Sequence, residues 1–147
     1  MVEGIRGPSR TAVLTAAARA LHREEPQPWV MDDRLALRLA GPQGLALLRQ
    51  LRAEVPTPDL LAFSRWICVR ARFAEDIVEK AAADRIGQHV ILGAGLDSFA
   101  YRRDDLLGRL AVFEVDHPGS QSWKRRRLAR LGVAPPARLV FASVDFE

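Results

Sequence analysis

The chain has 147 residues, about one domain's worth, with 48% hydrophobic and 27% charged residues and a net charge of +4. It has no apolar run of transmembrane length, and its first ten residues, MVEGIRGPSR, lack the apolar core of a secretory signal, so a cytoplasmic location is expected. A single cysteine, Cys68, excludes an intrachain disulfide and a zinc site built from several thiolates.

In chain order, Ser9 is an N-cap candidate for an alanine-rich helix, TAVLTAAARALHR, which Pro26 and Pro28 bring to a stop. Asp32 and Asp33 are cap candidates for RLALRLA, which ends at Gly41-Pro42. GLALLRQLRAE is a further short helix. Asp59 then opens a long helix, whose apolar stripe is Leu60, Phe63, Ile67, Ala71, Ala74, Val78 and Ala81, and Gly87 closes it.

From residue 88 the pattern changes. HVILGAG reads as a short buried strand ending in a turn, LAVFEVD as a second and ARLVFASVDFE as a third. A helical or irregular stretch follows the first strand. SQSWKRRRLARLG, closed by Gly132, follows the second. In that helix Trp123, Leu128 and Leu131 turn inward, which leaves Lys124, Arg125, Arg126, Arg127 and Arg130 as a solvated face. The fold class is therefore α/β: an N-terminal helical cap over residues 1–87, then the first half of a doubly wound, Rossmann-like parallel sheet, strands 1 to 3, over residues 88–147.

In parallel sheets of this kind ligands bind beyond the carboxyl ends of the strands. Gly93-Ala94-Gly95 ends the first strand, Asp116 the second, and Asp145 follows the third. The glycines permit a tight turn and close approach of a ligand. A carboxylate at Asp116 can accept two hydrogen bonds from a ribose, and Asp145 can meet a base edge. The pattern thus outlines an adenosine-containing ligand. A dinucleotide turn usually has a third glycine where this chain has Ser98, and Asp97 would oppose a diphosphate. S-adenosyl-L-methionine has no diphosphate and carries a sulfonium and an ammonium, so it is the better match.

The segments VRARFAED, VILGAGLDSFAYR, VFEVDHPGSQSWKRRRL and LVFASVDFE resemble class I S-adenosylmethionine-dependent methyltransferases, specifically the leucine carboxyl methyltransferase-like family and its bacterial branch. SRTAVLTAAARAL and PWVMDDRLALRLAG resemble the N-terminal cap of that branch. The resemblance implies roles by position. Arg70 would hold the cofactor's methionyl carboxylate, with Arg72 and Arg65 as neighbouring candidates. Gly93 and Gly95 would form the cofactor loop, Asp116 would bind the ribose, and Asp145 with Phe146 would flank the adenine. Arg10 is a further basic residue that could line the site. His22, His89 and His117 stand apart and form no nucleophile–base pair, and no catalytic residue is assigned.

The implied reaction is methyl transfer to a carboxylate or hydroxyl of an unidentified acceptor. Family members are about twice as long, so the chain reads as an N-terminal fragment whose uncovered sheet is expected to self-associate and to bind cofactor weakly. Two other readings stay open. One is half of an NAD-dependent oxidoreductase. The other is a non-enzymatic interaction module that uses the arginine-rich helix, although nucleic acid is not the expected partner.

Overall fold

Three helices precede a sheet whose strands alternate with helices. The structure is a computed structural model that describes residues 7–145. α1 (Arg10–His22) starts at Ser9, whose side chain accepts the Ala12 amide. Asp33 caps α2 (Ala36–Glu54) through Oδ1, which accepts the Leu35 and Ala36 amides at 3.1 and 2.9 Å. The two helices expected on either side of Gly41 are both present, and α2 joins them across a kink. Gly41 leaves helical geometry at φ 61°, ψ −150°, and Pro42 follows it.

α3 (Thr57–Ala83) begins two residues earlier than expected. Pro58 lies in the first turn, where a missing N–H costs nothing, and the Asp59 and Leu60 amides both reach Pro56 O. Its C-terminus needs no glycine. Arg85 takes the left-handed position at φ 66°, and the Ile86 amide closes on Ala81 O at 3.0 Å. The buried face of α3 also differs from the expected stripe. Leu60 and Ile67 are buried, but so are Ser64, Cys68, Glu75 and Ala82, whereas Ala74 is exposed. Ser64 goes inward because its hydroxyl donates to Ala18 O of α1 at 2.7 Å.

β1 (Gln88–Leu92), β2 (Ala111–Asp116) and β3 (Leu139–Ser143) form a parallel sheet in the order β1-β2-β3. The short helices α4 (Phe99–Arg102) and α5 (Asp104–Leu107) connect β1 to β2, and α6 (Pro118–Arg130) connects β2 to β3. Both crossovers lie on one face, as right-handed connections between successive neighbours require. Val112 and Leu139 pack there against Phe99 and Leu106, while Leu128 of α6 joins Ala12, Ala16 and Leu39 in a second cluster. That second cluster takes in Leu96 of the turn after β1, so α1 and α2 rest directly on the strand tips. The opposite sheet face holds Val90, Leu92, Phe113, Val115, Val140 and Ala142 in register. It is bare: Val90 is 51% and Leu92 71% exposed.

Candidate functional site

The turn after β1 is held from two sides. On the sheet side, Val115 O accepts the Gly93 and Ala94 amides at 2.8 and 3.2 Å, and one Asp116 carboxylate oxygen accepts the Gly95 amide. The other Asp116 oxygen accepts the His117 amide at 2.7 Å, so each oxygen keeps a lone pair for a further donor. On the helical side, Arg19 Nη2 donates to Leu96 O at 2.7 Å, and Ser98 Oγ donates to Asp33 Oδ2.

The two glycines serve different ends. Gly95, at φ 50°, lies against α1: a Cβ there would stand 2.9 Å from Ala12 Cβ. Gly93 is at φ 64°, and a Cβ there would meet nothing within 4 Å. Its conformation disfavours side chains, and the space beside it is open.

That space is a hollow of about 500 Å³, of the size that small-molecule sites occupy. Its walls are Thr15 and Arg19 of α1, Ile67, Arg70 and Ala71 of α3, the turn from Gly93 to Asp97, and Asp116. A larger hollow, about 700 Å³, lies between α6 and β3 and is lined by none of the residues at the tips of β1 and β2.

Of the sequence-predicted residues, Arg70, Gly93, Gly95 and Asp116 line the same hollow. Arg70 is exposed, and its guanidinium carbon lies 4.6 Å from the Trp66 ring centroid. The other two arginine candidates point elsewhere: Arg72 pairs with Asp76 at 2.7 Å, and Arg65 pairs with Glu25. Arg10 and Asp145 are exposed and are not among the lining residues. Phe146 lies outside the described residues. The histidines have local duties. His117 Nδ1 accepts the Gly119 amide at the start of α6, and His22 Nε2 accepts the Val30 amide. His89 stands edge-on to Phe99, where burial pushes its pKa down.

The solvated arginine face needs one correction. Lys124 is 1% exposed; its ammonium donates to Glu114 Oε2 and to Asp97 O, both at 2.6 Å. Burial raises the Glu114 pKa further than Lys124 lowers it, and Asp97 and Asp116 add to the rise. The neighbouring arginines keep the expected exposure: Arg125, Arg126 and Arg130 are exposed and Arg127 is half-buried, and Arg126, Arg127 and Arg130 line one hollow with Trp123. Arg127 donates to Arg38 O at 2.8 Å, and Arg125 lies over Phe141.

Sequence reasoning missed a buried ionic network beneath the turn. Asp33 Oδ2 accepts from Arg19 Nε at 2.8 Å as well as from Ser98. Ser98 Oγ accepts from Arg102 Nε at 2.8 Å, and Arg102 also pairs with Glu75 of α3. Burial works to raise the Asp33 pKa, but Arg19, Ser98 and Arg102 outweigh it and hold the carboxyl below its ordinary range. A sequence signal existed for Arg19, which falls on the same helical face as Ala12 and Ala16 and so points into the core.

The chain is similar to known proteins over nearly all of its length. The sequence model described as "Leucine carboxyl methyltransferase" matches residues 12–147. A protein of Mycobacteroides abscessus, named "Putative S-adenosyl-L-methionine-dependent methyltransferase", is 40% identical over 93% of this chain and 45% of its own length. A Bacillus subtilis protein, named "Putative S-adenosyl-L-methionine-dependent methyltransferase YktD", is 30% identical over 94% of this chain and 52% of its own length. A Mycolicibacterium smegmatis relative is 39% identical over 93% of this chain and 47% of its own. The chain thus spans about half the length of the curated relatives it matches.

Proposed function

The chain belongs to the leucine carboxyl methyltransferase family, and from that premise we propose that the hollow at the tips of β1 and β2 binds S-adenosyl-L-methionine for methyl transfer to an oxygen acceptor, a carboxylate or a hydroxyl. The observation that carries this reading is the juxtaposition of an open glycine turn, a strand-tip carboxylate and a guanidinium around one hollow. The cofactor supplies an electrophilic methyl group on sulfur. Asp116 accepts ribose hydroxyls with its spare lone pairs, and Arg70 grips the methionyl carboxylate through paired hydrogen bonds. Gly93 lets the ligand approach the backbone. A carboxylate acceptor is already ionised at neutral pH and needs no base, whereas a hydroxyl does.

The turn suits a cationic ligand better than a dinucleotide. Asp97 Oδ1 already accepts the Phe99 amide at 2.7 Å, which occupies the start of α4 with an anion where a diphosphate would sit. Two members of the basic cluster are drawn away from a nucleic-acid partner: Lys124 is buried against Glu114, and Arg127 donates to Arg38 O.

Ligand-observed NMR, which reads weak as well as tight binding, separates these readings when the chain is titrated with S-adenosylhomocysteine, NAD and a DNA duplex. Only S-adenosylhomocysteine is expected to bind, and Asp116→Ala should weaken it about tenfold or more. Binding of NAD in preference to S-adenosylhomocysteine overturns the cofactor assignment. Unchanged affinity in a folded Asp116→Ala variant overturns the ribose role.

A further inference from the structure

We propose that Asp33 is a positioning residue for the cofactor turn: its buried carboxylate, reached by Arg19 and Ser98, fixes residues 95–98 against the hollow. The proposal rests on reading that hollow as the cofactor site. Asp33 precedes α2 and is where α1, α2 and the turn meet.

All four of its acceptor positions are used. Oδ1 takes the two amides that start α2, and Oδ2 takes Arg19 Nε and Ser98 Oγ. The side chain is 0% exposed. Arg19 extends the hold to Leu96, since its Nη2 donates to Leu96 O while its Nε donates to Asp33. The two attachment points, Leu96 O and Ser98 Oγ, bracket Asp97, which lines the hollow. Arg102 and Glu75 brace Ser98 from the α3 side. A carboxylate that were only a helix cap would use Oδ1 alone. The second oxygen is spent on the turn, and this explains a serine at the position where a dinucleotide turn carries glycine.

The test compares two serines with the same kind of buried hydroxyl bond. Ser98→Ala cuts the link between Asp33 and the turn. Ser64→Ala cuts a bond of similar length between α3 and Ala18 O. Hydrogen exchange of the ligand-free chain is measured by mass spectrometry over peptides covering 92–99 and over α3, alongside S-adenosylhomocysteine affinity. Ser98→Ala should speed exchange in the turn about tenfold and weaken the ligand by a similar factor. Ser64→Ala should leave both unchanged. Asp33→Asn should act in the direction of Ser98→Ala, and more strongly. Unchanged turn exchange in Ser98→Ala, or equal loosening by both serine variants, overturns the positioning role. A loosened turn with unaltered affinity overturns it while leaving the cofactor reading intact. An unaltered chain that fails to bind S-adenosylhomocysteine overturns the cofactor reading and this role with it.

Discussion

Replacing Lys124 by methionine removes one member of an ion pair in which both side chains are 1% exposed. At their 2.6 Å separation the Coulomb attraction is about 6 kcal/mol in an effective dielectric of about 20. Desolvation of each ion costs several kcal/mol, so the intact pair contributes little net stability. The single variant keeps the cost and loses the attraction. Glu114 Oε2 and Asp97 O both lose their donor, and Glu114 Oε1 already has no hydrogen-bond partner among the described residues. Lys124→Met should therefore destabilise by about 3–5 kcal/mol, a large share of a domain's stability. Adding Glu114→Gln should recover most of that loss. Urea denaturation followed by circular dichroism reads both. The pH dependence has a definite sign. The Glu114 pKa is raised in the folded state, and loss of Lys124 raises it further. The variant's deficit should be greatest at neutral pH and shrink as pH falls toward the unfolded carboxyl range. A loss under about 1 kcal/mol for Lys124→Met, or a double variant weaker than the single, would refute the pairing argument.

Arg70→Lys should weaken S-adenosylhomocysteine about tenfold, because an ammonium cannot reproduce the paired geometry; decarboxylated S-adenosylmethionine should bind both forms alike, and equal losses for the two ligands would make Arg70 structural. We expect the chain to self-associate through the bare sheet face and the open edge of β1, so sedimentation velocity should show species larger than a monomer, which Val90→Lys or Leu92→Lys reduces; a monodisperse unaltered chain contradicts this. Asp33 has a depressed pKa, so its contribution is present above the ordinary aspartate value of 3.8 and is lost as pH falls through the folded value. Asp33→Asn should therefore cost about 3–5 kcal/mol at neutral pH, with the gap narrowing in acid; a gap that is constant with pH would remove the charge from the explanation.

The strand tips were legible because alternating strands and helices fix the direction of the sheet, and the sheet direction fixes which residues share its carboxyl edge. Gly93, Asp116 and their common hollow follow from that rule. Arg70 needed the family resemblance, since three arginines within eight residues carry equal local signals and only tertiary packing separates them. The buried charges were not legible. Whether a charge faces water depends on partners that the chain brings from other elements: Lys124 meets Glu114 and Asp97 O across 10 and 27 residues, Ser98 reaches Asp33 across 65, and Arg19 reaches Leu96 across 77. Local amphipathicity assigns every charge to the surface, and it erred wherever a second charge waited in the core. The end of α3 shows the same limit on a small scale. Gly87 does not end the helix: Arg85 at positive φ and the Ile86 amide on Ala81 O end it first.

Ala12 and Gly95 occupy one shared volume. The 2.9 Å approach that a Cβ at 95 would make to Ala12 leaves no room for growth on either side. In a set of related sequences these two positions should vary together, a small residue at one permitting change only if the other retreats. A substitution at residue 12, which itself lines the hollow, would then act twice, on the wall of the hollow and on the turn behind it. The size of the alanine is itself part of the turn's design.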